Sequence, residues 1–247
     1  MREHQPTERS EAFYEGSRVA FFGGSFDPPH LGHLAVARAA RAALQLDTVL
    51  FAPVGAQPLK PQGSAASFED RVAMTRLAIA GDPGFAVSLA DAPRPGFAPN
   101  YTIDTLLALR AGLPPGGALF CLMGADTFAG LRRWHRAAEV PFAAPLIVAS
   151  RPGQPLDGLM EALPEGLSME AVPQGSPADQ GGSVRACSLV NCPGDRTPFY
   201  LLPGLHVEIS ASGIRTLLCA ARQDAATARD WLPESVWEII RSRGLYR

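Results

Sequence analysis

Two imidazoles three residues apart, His30 and His33, stand directly behind a glycine turn in the string Gly23-Gly24-Ser25-Phe26-Asp27-Pro28-Pro29-His30-Leu31-Gly32-His33. Glycines let backbone N–H groups approach a polyphosphate, and a helix starting behind the turn adds a partial positive charge facing it. If that helix begins near Pro29, both histidines lie on one face of its first turn. Imidazoles aimed at such a helix end stabilise charge on a phosphoryl group without a covalent intermediate. The apolar run Val19-Ala20-Phe21-Phe22 ahead of the turn reads as a strand, so the segment predicts a strand, a turn and a helix around a nucleotide.

The rest of the chain must hold that unit in place. Strand-like runs recur at 48–53, 85–89, 118–123, 146–149 and 206–209, several of them continuously apolar, as strands covered on both faces are. Helical stretches alternate with them at 34–46, at 102–110, and behind Ser67-Phe68-Glu69-Asp70, which resembles a capping box. Near the end, Pro233 at a first helical position and Gly244 bracket a helix over 234–243. This alternation predicts an α/β fold with a doubly wound parallel sheet, whose ligands bind beyond the carboxyl ends of the strands. The exception is a loop-rich insertion at about 152–203, where Gln174-Gly175-Ser176-Pro177 and Gly181-Gly182-Ser183 have linker composition. Residues 1–17 are polar and charged and read as a flexible tail, which leaves 18–247 as one domain carrying the insertion.

Composition narrows the function. The chain has 247 residues, 47% hydrophobic and 19% charged, with a formal net charge of −2. That balance offers no global basic field for nucleic acid and favours a small-molecule substrate. The first 17 residues lack the apolar core of a signal peptide, and no apolar run approaches the ~18 residues of a spanning helix, so a soluble cytoplasmic protein without a membrane partner is expected. Cys121, Cys187, Cys192 and Cys219 are scattered. The pair Cys187 and Cys192 admits a disulfide or half of a metal site, but isolated thiols suit a reduced cytosolic chain better. His4, His135 and His206 lie far apart and give no zinc-binding pattern, so no protein metal site is expected.

The string from Gly24 to His33 resembles the signature (G)(S/T)FDPxHxGH of the nucleotidylyltransferase superfamily, and the chain is most similar to the bacterial nicotinate-nucleotide adenylyltransferases. The resemblance covers most of 18–247 outside the insertion and implies the superfamily's Rossmann-like sheet. Ile209-Ser210-Ala211-Ser212-Gly213-Ile214-Arg215 resembles the family's ISSTxIR, with Ser212 as a helix cap and Arg215 as a fixed charge for departing pyrophosphate. Gly124-Ala125-Asp126 followed by Trp134-His135 resembles its GAD…WH segment: a carboxylate for ribose hydroxyls and an indole face for a ring, or, for Trp134, core packing. Tyr101-Thr102-Ile103-Asp104-Thr105 resembles YTxDT, where Thr102 would hold the pyridine ring and its carboxylate; Asp104 reads equally as a charge favoured at a helix start. Arg151 matches SRPG. One departure stands out: the family's PPHK-like string is Gln57-Pro58-Leu59-Lys60 here, which keeps the lysine and loses the histidine.

The resemblance implies transfer of the adenylyl group of ATP to nicotinate mononucleotide, with Mg²⁺ entering on the triphosphate. Charge would be handled by His30, His33, Lys60 and Arg215. ATP would meet Gly23, Gly24, Ser25, Phe26, Ile209, Ser210 and Ser212, and the mononucleotide Tyr101, Thr102, Gly124, Asp126, Trp134, His135 and Arg151. The rival readings are another acceptor, such as nicotinamide mononucleotide or phosphopantetheine, a CTP-dependent reaction, and a nucleotide-sensing module without catalysis. A class I tRNA synthetase is disfavoured by the lack of a KMSKS-like string. The sequence carries no sign of an oligomeric state.

Overall fold

A computed structural model describes residues 15–60, 62–150, 156–171, 184–202, 209–219 and 222–247. Its strands are β1 (Arg18–Gly24), β2 (Thr48–Pro53), β3 (Phe85–Val87), β4 (Ala118–Gly124), β5 (Leu146–Ala149), β6 (Leu167–Ala171), β7 (Arg185–Asn191) and β8 (Arg196–Leu202). The helices are α1 (Leu31–Leu44), α2 (Phe68–Ile79), α3 (Thr102–Ala111), α4 (Ala125–Phe128), α5 (Val140–Ala143), α6 (Leu156–Met160), α7 (Ala211–Cys219), α8 (Arg222–Asp230) and α9 (Glu234–Arg243). The strands form one sheet in the order β3-β2-β1-β4-β5-β8-β7-β6. The first six of these pair in parallel, and β7 and β6 close one edge antiparallel.

Alternation along β1 explains why its sequence reads as a continuous apolar run. Ala20 and Phe22 turn to a core layer shared with Leu34, Ala37 and Ala40 of α1, while Val19 and Phe21 turn to a second layer with Ile103, Leu106 and Phe128. Each face of the strand is covered, so neither calls for polar residues. No described helix is long and apolar enough to cross a membrane.

The expected strands at 48–53 and 146–149 match β2 and β5, and the one at 85–89 is shorter, ending at Val87. Ser67 does cap α2, accepting from the Asp70 N–H at 3.0 Å. At the last helix Pro233 is the cap itself rather than the first helical residue, and Gly244 ends it in the left-handed region at φ 62°. Helix α1 starts at Leu31, just behind Pro29 as expected, because His30 serves as its cap.

The largest departure concerns 152–203, expected to be loop-rich. It contributes β6, β7 and β8, and β8 is an interior strand between β5 and β7. A hairpin closed by the Asn191 and Gly194 N–H groups joins β7 to β8, so no crossover helix announces these strands. The strand expected at 206–209 lies outside the described residues except for Ile209, which precedes α7. The Gln174 to Ser183 stretch, Arg151 and residues 1–14 of the expected tail also lie outside them. Ser17, assigned to the tail, is buried, and its carbonyl accepts from the Ala118 N–H at 2.8 Å.

One glycine fixes how the loop after β3 seats beneath the carboxyl ends of β1 and β2. The Gly55 N–H donates to the Asp91 carbonyl at 2.7 Å, and a Cβ on Gly55 would stand 2.4 Å from the backbone nitrogen of Pro93. Gly55→Ala should therefore destabilise the fold by about 1–3 kcal/mol, the usual cost of overpacking. Urea unfolding measures this; an unchanged midpoint would mean that the 91–93 backbone yields freely.

Candidate active site

Strand order sets where a ligand can sit. From β1 the chain runs outward through β2 to β3, then returns to place β4 on the other side of β1. Helix α1 leaves β1 toward one core layer and α4 leaves β4 toward the other, so the sheet opens between them at its carboxyl end. A cavity of about 640 Å³ occupies that crevice. Gly23, Gly24, Ser25, Phe26, His30 and His33 form one side of its wall. Gly124, Asp126, Trp134 and His135 line the other, with Tyr101 and Thr102 at the start of α3 and Ile209 and Ser210 ahead of α7.

The turn between β1 and α1 is held from behind. Phe26 adopts φ 47°, and its ring packs against Phe22, Phe51 and His33 with centroids 5.5, 5.5 and 4.9 Å away. A Cβ on Gly23 would stand 2.8 Å from the Phe21 ring, so close packing by itself calls for glycine there. Asp27 is buried and joins distant segments. Its Oδ1 accepts from the Ala66 N–H at 3.0 Å and the Tyr246 hydroxyl at 2.7 Å, and its Oδ2 accepts from the Ala65 N–H at 2.6 Å. Burial, with the Asp27 carboxylate alongside, pushes the Tyr246 hydroxyl far above the ordinary tyrosine range, so it stays a donor. Arg215 Nη1 donates to the Asp27 carbonyl at 2.6 Å and lies 3.8 Å from Oδ2.

The histidines are arranged as a neutral pair. Their rings stack at 3.7 Å between centroids with 24° between planes. His33 Nδ1 accepts from the His30 backbone N–H at 3.2 Å, which assigns the ring proton to Nε2. Burial lowers the His30 pKa to about 4. Burial, and then the neighbouring His30, hold His33 well below the ordinary histidine range. The pair therefore offers polarisable N–H donors rather than cations at neutral pH.

Lys60 supplies the mobile charge. Its Nζ donates to the Ser25 hydroxyl at 3.2 Å, and that hydroxyl donates to Gln57 Oε1 at 3.3 Å. Leu59, the departure from the PPHK-like string, is 46% exposed on the same wall, so an apolar side chain faces the cavity there. The cap of α7 is Ser210, whose hydroxyl accepts from the Gly213 N–H at 3.0 Å, and not Ser212 as expected. Ser212 instead accepts from Arg215 Nη2 at 3.3 Å, and neither residue lies on the cavity wall. The reason is one of register: α7 begins at Ala211, which puts Ser212 inside the first turn.

On the opposite side, Tyr101 and His135 stack at 4.3 Å and 33° beside Trp134. Asp104 points away from the cavity, 4.0 Å from Arg94 and 3.9 Å from Arg136, as its helix-start reading implies. Several residues of the site carry no motif. Asp91 is buried on the wall and accepts from the Thr105 hydroxyl; burial raises its pKa against the effect of that bond. Asn100 fastens Ala56 and Ala92, accepting from one and donating to the other at 3.0 Å each. Cys121 also lines the cavity, but burial and the nearby Asp91 push its thiol up to about 12, which rules it out as a nucleophile at neutral pH. Arg71 lies behind the wall on the apolar stripe of α2; a lone charge among buried positions at helical spacing is the signal that marks it.

Residues 21–217 match the family model described as cytidylyltransferase-like. A Gloeobacter violaceus protein named "Probable nicotinate-nucleotide adenylyltransferase" is 39% identical over 94% of this chain and 97% of its own length. A Trichlorobacter lovleyi protein of the same name is 36% identical over 93% of this chain and 99% of its own. Among solved structures, Plasmodium falciparum nicotinic acid mononucleotide adenylyltransferase, complexed with NaAD, superposes with a TM-score of 0.65 at 15% identity, covering 93% of this chain and 97% of that one, a likeness of fold. With identity of this order running over nearly the whole length of both bacterial relatives, the chain belongs to the nicotinate-nucleotide adenylyltransferases within the cytidylyltransferase-like family.

Proposed function

We propose that this protein transfers the adenylyl group of ATP to the 5′-phosphate of nicotinate mononucleotide, releasing pyrophosphate and forming nicotinate adenine dinucleotide. The observation that carries this reading is the stacked pair His30 and His33 at the head of α1, on the wall of a cavity of about 640 Å³ at the carboxyl end of the sheet. A phosphate oxygen of the mononucleotide attacks the α-phosphorus of ATP. The new P–O bond forms as the bond to pyrophosphate breaks, and the leaving group departs with that electron pair. No protein nucleophile takes part, so the chain contributes positioning and charge stabilisation. The His33 Nε2–H donates to phosphoryl oxygens as charge builds, and Lys60 swings from Ser25 onto the triphosphate. Arg215 reaches departing pyrophosphate only by releasing Asp27, so in the resting enzyme it braces the loop.

Trp134 offers its face to the pyridine ring, with Thr102 beside the ring's carboxylate and Asp126 for ribose hydroxyls. Magnesium belongs with the triphosphate in this scheme. Among the described residues no three His, Cys, Asp or Glu side chains converge as a ready-made cage, while Asp91 and Asp126 line the cavity. Asp91 and Asp126 would be the carboxylates available to help hold such an ion, which would enter with the triphosphate. When bound, it neutralises triphosphate charge.

Pyrophosphate release with ATP and a panel of acceptors tests the assignment. Nicotinate mononucleotide should exceed its amide counterpart by at least about tenfold in kcat/KM, which needs only ~1.4 kcal/mol of differential recognition, and phosphopantetheine should be inert. Equal efficiencies would overturn the acceptor. His33→Ala should lower kcat by roughly 10²–10³ with a smaller change in KM, since the interaction strengthens toward the transition state. Because burial lowers both histidine pKa values, the neutral pair persists above about pH 4 and is lost as pH falls through the His30 value. The kcat profile of the native protein should then show no acid limb beyond the one that the substrate phosphates give to His33→Ala as well; a limb centred near 6.5 that His33→Ala removes would contradict a neutral pair.

A further inference from the structure

Arg71 is among the largest fully buried side chains of the described protein, only 2% exposed, yet no substrate contact accounts for it. Burial lowers its pKa from the ordinary arginine value, and nearby Asp27 offsets part of that effect; the guanidinium still carries its charge at neutral pH. Its fork is divided between two loops. Nη1 donates to the Ser25 carbonyl at 2.7 Å and Nη2 to the Val54 carbonyl at 2.9 Å. The Phe68 ring lies 5.5 Å from the guanidinium carbon on the same helix. The two carbonyls it holds belong to the loops that leave β1 and β2 at the mouth of the cavity.

A peptide unit is planar, with its C=O and N–H pointing in opposite directions. Ser25 and Phe26 line the cavity and Arg71 does not, so a Ser25 carbonyl turned back to Arg71 sends the Phe26 N–H of the same unit toward the cavity. The Phe26 side chain cannot follow a rotation of that peptide, because its ring is wedged between Phe22, Phe51 and His33. Val54 ties the same guanidinium to β2, and its own N–H donates to the Gly24 carbonyl at 3.0 Å. We propose that Arg71 is a positioning residue for the reaction: by gripping the Ser25 carbonyl from behind, it holds the Phe26 N–H facing the nucleotide phosphates. Lysine does not reproduce this fork, since its compact ammonium lacks the two fixed, separated N–H donors with which the planar guanidinium meets the two carbonyls.

The inference rests on the adenylyl-transfer reading, but one arm of its test needs no turnover. In ¹⁵N-labelled full-length protein, α,β-methylene-ATP should shift the Phe26 amide proton strongly downfield. In Arg71→Lys that shift should fall by at least about half, and kcat for pyrophosphate release should drop about tenfold or more with KM changed less than about threefold, as for loss of a preorganised donor. Millimolar guanidinium should restore part of the turnover of Arg71→Ala while leaving its circular dichroism and urea midpoint unchanged, which a role limited to folding would not allow. An unshifted Phe26 amide in the native protein overturns the proposal, and so does a folded Arg71→Lys variant with native shift and native kcat. Should Arg71→Lys fail to fold, the native Phe26 shift and the guanidinium rescue decide the matter, and absence of either overturns it. A normal Phe26 shift in a protein that adenylylates no pyridine mononucleotide would instead refute the assigned reaction and leave the role of Arg71 standing.

Discussion

The buried carboxylate of Asp27 is the constraint on which the site depends. It stands in the turn between β1 and α1 and gathers the N–H groups of Ala65 and Ala66, the hydroxyl of Tyr246 and the charge of Arg215. These partners come from the loop ahead of α2, from the C-terminal end and from α7, so one side chain fixes the relative position of three remote segments and the reactive turn. A carboxylate out of water is tolerable only when its lone pairs are met, and here they are met largely by neutral donors. Removing one partner of such a group commonly costs more than a surface ion pair contributes. The exposed pairs Arg136–Glu139 and Arg196–Glu170 add little by comparison.

Chemistry follows from that rigidity. With the turn held by Asp27 and Arg71, α1 starts at Leu31 and places His30 at its cap and His33 one turn in. The stacking of the two rings and their burial favour the neutral forms, which leaves the positive charge of the site to its lysine and arginines. The cations lie nearby in two different states. Lys60 hangs on a single hydroxyl and is free to move, whereas Arg215 and Arg71 are committed to backbone carbonyls. In the proposed reaction this gives one arm for the ligand and two braces for the loop, a division of labour that residue type alone does not disclose.

The strand, turn and helix of the first motif are legible in the sequence because each piece has its own local cause: an apolar run covered on both faces, glycines at a close approach, and a cap position. The capping box of α2 and the wall residues Tyr101, Thr102, Trp134 and His135 are legible for similar reasons or through resemblance. Strands β6, β7 and β8 are not, since a hairpin edge lacks the helix that marks each parallel crossover, and linker-like composition at 174–183 hides what flanks it. Register at α7 is equally hidden: Ser210 and Ser212 are both plausible caps in isolation, and the choice falls to Ser210 where the helix begins. Asp91 and Asn100 escape notice because they accept from groups 14 and 44 residues away in the chain, a distance over which spacing says nothing, whereas Arg71 is marked only by its place on the buried face of α2.

The claim at the centre of this account is that the Asp27 carboxylate sets the geometry of the reactive turn, and turnover of the folded Asp27→Asn protein tests it most directly. Asparagine keeps the size of the side chain but turns one acceptor into a donor that faces the N–H of Ala65 or Ala66. A buried donor set against a donor costs about 1–3 kcal/mol, enough to displace the turn without unfolding the chain. The account predicts a fall in kcat of roughly 10² or more, with a smaller loss of ATP binding, in protein whose circular dichroism is unchanged. Native kcat in that variant would contradict it.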